Sequence, residues 1–371
     1  MAATDRDIRP AIWTEPVRGG YPDPRLFGHP GLEQMRAYFR GLAPAPPLGR
    51  LLGLLPTHVG PGAATFVMPA TEWLLAPVPF VSLGVQAMLA DAALGCAVQT
   101  TLPPATPYTT SDLSLTFLRP LDADGGQVAG RGRLVHAGRS LGVAELMIQD
   151  SRARPVTHGT TRCFFLDPLE VPPPDEEDLP RFDFPTFDED DPFRRPVAGS
   201  PLPQDVWDRT SGLEVLRGLV AGDLPPPPIT HLTGLRPVEV DQGTATFVLP
   251  TTGWLTSPLG TVQGGATALL AETVLASAVQ TTIPPRTAYT PLDLKVNYLR
   301  PVFADGRDLV GGATVVHRGR TLAVASAELR NAEGKLAALA TGTALIREGS
   351  PWRAADRSDD APPPRRDGER G

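Results

Sequence analysis

The chain has 371 residues, enough for two domain-sized cores, and 41% of them are hydrophobic, an ordinary share for a globular protein. A net charge of -7 argues against nucleic acid as a main partner. No apolar run reaches the roughly 18 residues that span a bilayer, and the charged start from Met1 to Arg9 lacks the apolar core of a signal peptide.

These features set the expectation of a cytoplasmic chain with no membrane partner. The two cysteines, Cys96 and Cys163, show neither CxxC nor Cys/His spacing, so no metal site and no cofactor is expected.

In chain order, residues 1–30 form a Pro/Gly/Arg-rich extension expected to be loosely ordered. A first domain runs over 31–166. It opens with a short helix over 31–41, stopped by Gly and Pro. The β-rich run Ala64-Thr65-Phe66-Val67-Met68 follows. The stretch from Gly84 to Thr101 is too long and Ala-rich for a strand and apolar nearly all round, which predicts a buried helix closed by Pro103-Pro104. Strand patterns complete the domain.

Residues 167–210 read as an acidic, Pro-rich linker. It carries Asp175-Glu176-Glu177-Asp178 and Asp188-Glu189-Asp190-Asp191, taken as solvated charge. Phe182, Phe184 and Phe187 are able to pack back on a domain. A second domain follows over 211–348, with a helix over 212–222, a β-rich run at 245–249 and a buried helix over 265–282. Strands are expected from Asp293 to Leu299, Leu309 to His317, Thr321 to Leu329 and near Lys335–Ile346. The tail 349–371, with Pro362-Pro363-Pro364, reads as disordered.

The two domains are copies. Residues 31–165 and 212–346 align without a gap at a constant offset of 181. Trp73-Leu74 returns as Trp254-Leu255, Ala97-Val98-Gln99-Thr100-Thr101 as Ala278-Val279-Gln280-Thr281-Thr282, and Leu118-Arg119-Pro120 as Leu299-Arg300-Pro301. His136 with Gly138-Arg139 returns as His317 with Gly319-Arg320, where hairpin turns are wanted. A unit of this length is a domain rather than a solenoid repeat.

One long buried helix followed by antiparallel strands is the pattern of a sheet curled around a helix. Ser257-Pro258-Leu259-Gly260-Thr261-Val262-Gln263-Gly264-Gly265, then Glu272, then the strand Asp293 to Tyr298 ending in Tyr298-x-x-Pro301, resembles the hotdog-fold thioesterases of the phenylacetate-degradation type. That family's pattern is Asn-x-x-Gly-x-x-His-Gly-Gly, an acid nine residues after the His, and a strand ending in Tyr-x-x-Pro. The resemblance implies an α+β fold of two tandem hotdog domains forming an intramolecular pseudo-dimer. It also implies further pairing into a homo-oligomer, and acyl-CoA as substrate.

Thioester hydrolysis needs a delivered nucleophile and donors for the oxyanion. A helix N-terminus offers free amides and a favourable dipole, and Gly264 and Gly265 sit at such a start. The plainer reading is that Gly-Gly permits close packing of the helix. Glu272 lies nine residues from Gln263, roughly 13 Å along the helix, too far to reach its own helix start. Packed antiparallel, the acid of one helix would meet the start of the other, and the family resemblance implies the same division between subunits.

Two unequal composite sites follow. The first joins Asp91 and Thr110 of repeat one with Ser257, Gln263, Gly264 and Gly265 of repeat two. Asp91 is the candidate base or nucleophile, Gly264 the oxyanion donor, and Thr110 an orienting hydroxyl. Gln263 stands where the family has His, and Ser257 where it has Asn.

The second site pairs Glu272 and Pro291 with Ala76, Phe80, Ser82 and Leu83, and has lost most of these groups. Asp91 and Glu272 can also be read as structural buried acids. Arg139 and Arg320 suit the phosphates of coenzyme A, or cap turns. His136 and His317 read as structural or cofactor-contacting rather than catalytic. Two other functions are weighed: a non-catalytic acyl-CoA or lipid-like ligand binder, and a hydratase, disfavoured because neither long helix contains a His.

Overall fold

The structure, a computed structural model, describes residues 11–183 and 186–348. Met1 to Arg9, Phe184 and the tail from Gly349 onward lie outside the described residues. The first repeat comprises α1 (Gly31–Phe39), α2 (Pro47–Leu52), β1 (Leu55–Gly60), β2 (Ala63–Pro69), α3 (Leu83–Gln99), β3 (Tyr108–Phe117), β4 (Gln127–Ala137), β5 (Leu141–Gln149) and β6 (Pro155–Phe165). A short helix, α4 (Gln204–Arg209), precedes the second. That repeat comprises α5 (Gly212–Ala221), α6 (Pro228–Thr233), β7 (Arg236–Asp241), β8 (Thr244–Pro250), α7 (Gly264–Gln280), β9 (Thr287–Pro291), β10 (Asp293–Tyr298), β11 (Asp308–Arg318), β12 (Leu322–Arg330) and β13 (Leu336–Glu348).

The long helices and the strands of the second repeat fall where the sequence pattern puts them. The short elements α2, α4, α6, β1, β7 and β9 go beyond it, each five or six residues long. A run that short carries too little periodicity to read. Repeat one has a single ten-residue β3, whereas repeat two splits the equivalent stretch into β9 and β10. The break falls at Leu292, directly after Pro291, which has no N–H for the ladder.

The described strands form one antiparallel sheet in the order β1-β2-β4-β5-β6-β3-β10-β13-β12-β11-β8-β7, with β9 also on β13. The halves join between β3 and β10, where Ser114 pairs with Lys295. These two residues are counterparts at the 181 offset, so the local two-fold axis passes between them. The duplicated chain thus builds its own pseudo-dimer across a continuous sheet.

Each half wraps its long helix. α3 is rich in Ala and Leu, strong helix formers, and has no proline. Val85, Met88, Leu89, Leu94 and Val98 are all fully buried, each contributing about 1.5–3 kcal/mol. Thr100 ends the helix, its hydroxyl donating to the Ala97 carbonyl and accepting from the Gly62 amide.

α3 and α7 press against each other at two equivalent points. A Cβ on Gly84 would stand 2.7 Å from the Leu269 Cα, and one on Gly265 would stand 2.4 Å from the Met88 Cα. Real Cβ atoms do not come so close, so only glycine lets the backbones approach this far. The glycines therefore serve packing as well as any ligand.

The extension and linker depart from the loosely ordered, solvated reading. Ile12 and Leu26 are buried, as are Leu179, Phe193 and Leu202 of the linker. Asp191 is 0% exposed, with carboxylate oxygens 2.9 Å from Arg18 Nη1 and 3.0 Å from Arg50 Nη1. Arg195 pairs with Glu15 at 2.7 Å. The counterpart indoles divide between the two segments: Trp73 donates to the Arg195 carbonyl and Trp254 to the Glu15 carbonyl. Extension and linker form a strap across both repeats, and Tyr21 continues it to Thr256 with a 2.8 Å hydroxyl–hydroxyl bond.

Candidate active site

Neither long helix has a side-chain cap. Ser82 and Gln263 occupy the N-cap positions of α3 and α7 without bonding the first turn through their side chains. Free amides at those ends need acceptors, and each is met by the acid of the opposite helix.

Asp91 on α3 accepts a 3.0 Å hydrogen bond from the Gly265 amide of α7. Its other oxygen accepts a 3.3 Å bond from the Thr110 hydroxyl on β3. Burial pushes the Asp91 carboxyl up to about 6, against the pull of the Gly265 amide, the Thr110 hydroxyl and the Gly264 amide. A Cβ on Gly264 would stand 3.1 Å from one Asp91 oxygen and 3.2 Å from the other, so Gly264 borders the carboxylate directly. Asp91 itself keeps partial exposure. A carboxylate, a hydroxyl and the amides of a helix start thus converge from two repeats.

The equivalent place in the other half is poorer. Glu272 is 8% exposed and held up to about 7 by burial, offset only by the Gly84 amide. Pro291 supplies no hydroxyl, and Ser82 and Leu83 replace Gln263 and Gly264 at the helix start. A small cavity lined by Glu272, Leu275, Ala276, Val279 and Pro291 lies beside it.

The remaining sequence candidates divide. Gln263 is buried at the α7 start, but its Nε2 donates to the Met88 carbonyl at 3.2 Å, and its Oε1 is buried without a partner. Ser257 turns to its own loop, with its hydroxyl 3.4 Å from that of Thr261 and accepting from the Leu259 amide. The structure does not bring its hydroxyl to Asp91.

Arg139 and Arg320 are exposed in the β4–β5 and β11–β12 turns. The register separates them. Leu141 pairs with Phe164, which pairs with Thr109, so Arg139 stands at the Thr110 end of the sheet. Leu322 pairs with Leu345, which pairs with Thr290, so Arg320 stands at the Pro291 end. His136 and His317 occupy counterpart positions beside β-bulges, both exposed. Burial raises Cys96 and Cys163 to about 12, which keeps both thiols protonated and poor nucleophiles.

Tyr298 belongs to the Tyr-x-x-Pro motif, which by itself gives the residue no role. Its hydroxyl donates a 2.8 Å bond to the Gly264 carbonyl. The available signal was the difference between copies, since the counterpart at the 181 offset is Phe117. Among the described residues no cluster of three or more His, Cys, Asp or Glu is placed to hold a metal ion. No helix among them is long and apolar enough to cross a membrane.

A thioesterase-superfamily model matches the chain twice, over residues 79–156 and 259–338. Each match takes in one long helix and most of the strands after it. Each half of the chain is thus similar to the thioesterase superfamily, and the fold is two tandem hotdog domains. The chain is 27% identical over 150 residues to a "Putative esterase" of Vibrio cholerae, covering 40% of this chain and 95% of that one. It is 28% identical over 131 residues to a "Putative esterase" of Haemophilus influenzae, covering 35% of this chain and 90% of that one. A solved protein with a hot dog fold from Alicyclobacillus acidocaldarius matches with a TM-score of 0.50 at 15% identity, over 79% of this chain and 96% of its own.

Proposed function

We propose that this chain is an acyl-CoA thioesterase, hydrolysing an acyl-CoA thioester to free acid and CoA at one composite site between its repeats. The match of each half to the thioesterase superfamily supports thioester hydrolysis in general. The observation that carries the reading is the Asp91 carboxylate of repeat one against the α7 amides of repeat two, with Thr110 beside it.

In this mechanism the thioester carbonyl oxygen takes up the amides of Gly264 and Gly265, which Asp91 partly occupies in the free protein. Donors of that kind lower a barrier by about 3–4 kcal/mol each. Asp91 takes a proton from water as the water oxygen bonds to the carbonyl carbon, and Thr110 holds the carboxylate in place. When the tetrahedral intermediate collapses, the C–S bond breaks. The CoA sulfur leaves with its electron pair and receives the proton from Asp91. In this reading Arg139, at the Thr110 end of the sheet, meets the CoA phosphates.

The test is a panel of short, long and aromatic acyl-CoAs with free-thiol detection, run on wild type, Asp91→Asn and Glu272→Gln. Hydrolysis is expected to vanish in the first variant and survive in the second. A second reading, a non-catalytic acyl-CoA or lipid-like binder, draws on Gln263, whose side chain is tied to Met88 rather than turned to Asp91. Binding of acyl-CoA without release of thiol from any member of the panel would establish that reading instead.

A further inference from the structure

We infer that Tyr298 is a positioning residue for the oxyanion donors, acting through the peptide group that joins Gly264 to Gly265. The inference rests on the composite site proposed above. One peptide unit carries both relevant bonds: its carbonyl, on Gly264, accepts from the Tyr298 hydroxyl at 2.8 Å, and its N–H, on Gly265, donates to Asp91 at 3.0 Å.

In a trans peptide these two groups point in opposite directions. Tyr298 therefore grips the plate from behind while its front edge faces the reacting position. A bond to the carbonyl polarises the peptide and strengthens its N–H as a donor. It also stops the first turn of α7 from rotating, at an end that has no side-chain cap. Tyr298 lies at the end of β10 in the central sheet, so the grip is anchored to a rigid element.

Charge and duplication agree with this role. Burial, together with the nearby Asp91 and Asp112 carboxylates, raises the Tyr298 phenol well above its ordinary value, so it remains a donor throughout the working range of pH. The counterpart of Tyr298 is Phe117, and the peptide it would grip begins at Leu83, in the half that has also lost Thr and Gly-Gly. The hydroxyl is thus present only where the rest of the machinery is present. Phe117 also shows that the fold accommodates a phenyl ring at this strand position.

The experiment compares Tyr298→Phe, and 3,5-difluorotyrosine placed at 298 as a stronger donor of nearly equal size, with wild type. The readouts are kcat, KM, melting temperature and the acid limb of the pH profile. Tyr298→Phe is expected to lower kcat about tenfold with KM unchanged, and to move the acid limb upward because the Gly265 amide stabilises ionised Asp91 less well. The difluoro protein is expected to move the limb downward. The other titratable groups near Asp91, namely Cys96, Tyr108 and Cys163, are all held neutral by burial.

An unchanged kcat in Tyr298→Phe, a change confined to KM, or an acid limb unmoved by either replacement would overturn the inference. If Asp91→Asn retains full hydrolysis, it is the composite site that fails. If Asp91→Asn is inactive and Tyr298→Phe matches wild type, the site stands and only the role of Tyr298 falls.

Discussion

The amide of Gly265 and the carboxylate of Asp91 lie 174 residues apart in sequence and 3.0 Å apart in the fold. Each belongs to a different repeat, and neither has an equivalent partner within its own. A helix start without a side-chain cap and a buried acid are each costly alone. Brought together, each satisfies the other, and the same exchange recurs between Glu272 and Gly84. The pairing alone would account for two structural acids. The proposal of catalysis at one of them draws on Thr110, Gly264 and Tyr298, which only the Asp91 side possesses.

The pH profile separates the two roles. Asp91 must be ionised to act as a base, and burial raises it to about 6. The expected kcat/KM is therefore flat above that value and falls about tenfold per pH unit below it. Asp91→Asn should lower kcat by about 10²–10⁴-fold at neutral pH. Initial rates across pH 4–8 on one acyl-CoA measure both, and an acid limb centred near the ordinary aspartate value would contradict the buried base.

The other acid predicts a stability effect of opposite sense to the usual acid unfolding. Glu272 is raised from 4.5 to about 7 in the folded chain. Between those values the folded state binds more protons than the unfolded state. The stability it contributes is complete below about 4.5 and is lost as pH rises through 7. Glu272→Gln, which cannot ionise, should therefore stabilise the protein at pH 8 by an amount on the order of 3 kcal/mol. It should have little effect at pH 4. Melting curves of both proteins at the two pH values test it, and equal gains at both would refute the linkage.

Much of this arrangement is legible in the amino-acid sequence. The reach of Glu272 along its own helix was too short, which required the acids to cross between repeats, and they do. The strap was not legible. The charge run ending at Asp191 looks solvated locally, because its partners Arg18 and Arg50 lie 173 and 141 residues away. Ser257 fills the Asn slot of the motif, yet its hydroxyl is shorter than an Asn amide and closes its own turn. Tyr298 needed a carbonyl from another element, which no spacing along the chain reveals.

The paired glycines at the start of α7 should respond differently to one methyl group. In Gly264→Ala the new Cβ comes within 3.1 Å of the Asp91 carboxylate, a soft contact that a side chain relieves by shifting. The expected outcome is a loss of kcat of about tenfold or more from the displaced base, with a nearly unchanged melting temperature. In Gly265→Ala the Cβ would stand 2.4 Å from the Met88 Cα and 2.7 Å from the Ala87 carbonyl oxygen, both backbone atoms. The helices must then separate, at a cost of about 1–3 kcal/mol or more. Matching thermal and kinetic losses in both variants would mean that Gly264 serves packing alone.

Asp191 offers a test of the strap. Its carboxylate is fully buried and bridges Arg18 of the extension to Arg50 of α2, while accepting the Asp188 amide of the linker. Removing one partner of a buried ion pair leaves the other charges unmatched, a loss of about 3–5 kcal/mol when all are fully buried. Arg18 and Arg50 keep 31% and 20% of their side-chain surface, so solvent compensates in part, and about 1–3 kcal/mol is expected for Asp191→Ala. The strap should loosen first, because the linker holds few other buried side chains. Limited proteolysis should then cut within 167–203 faster than in wild type, before either repeat is attacked. The Trp73 and Trp254 indoles, which donate to strap carbonyls on opposite repeats, should change fluorescence together at that step. Unaltered linker cleavage with a lowered melting temperature would show instead that Asp191 stabilises the repeats directly.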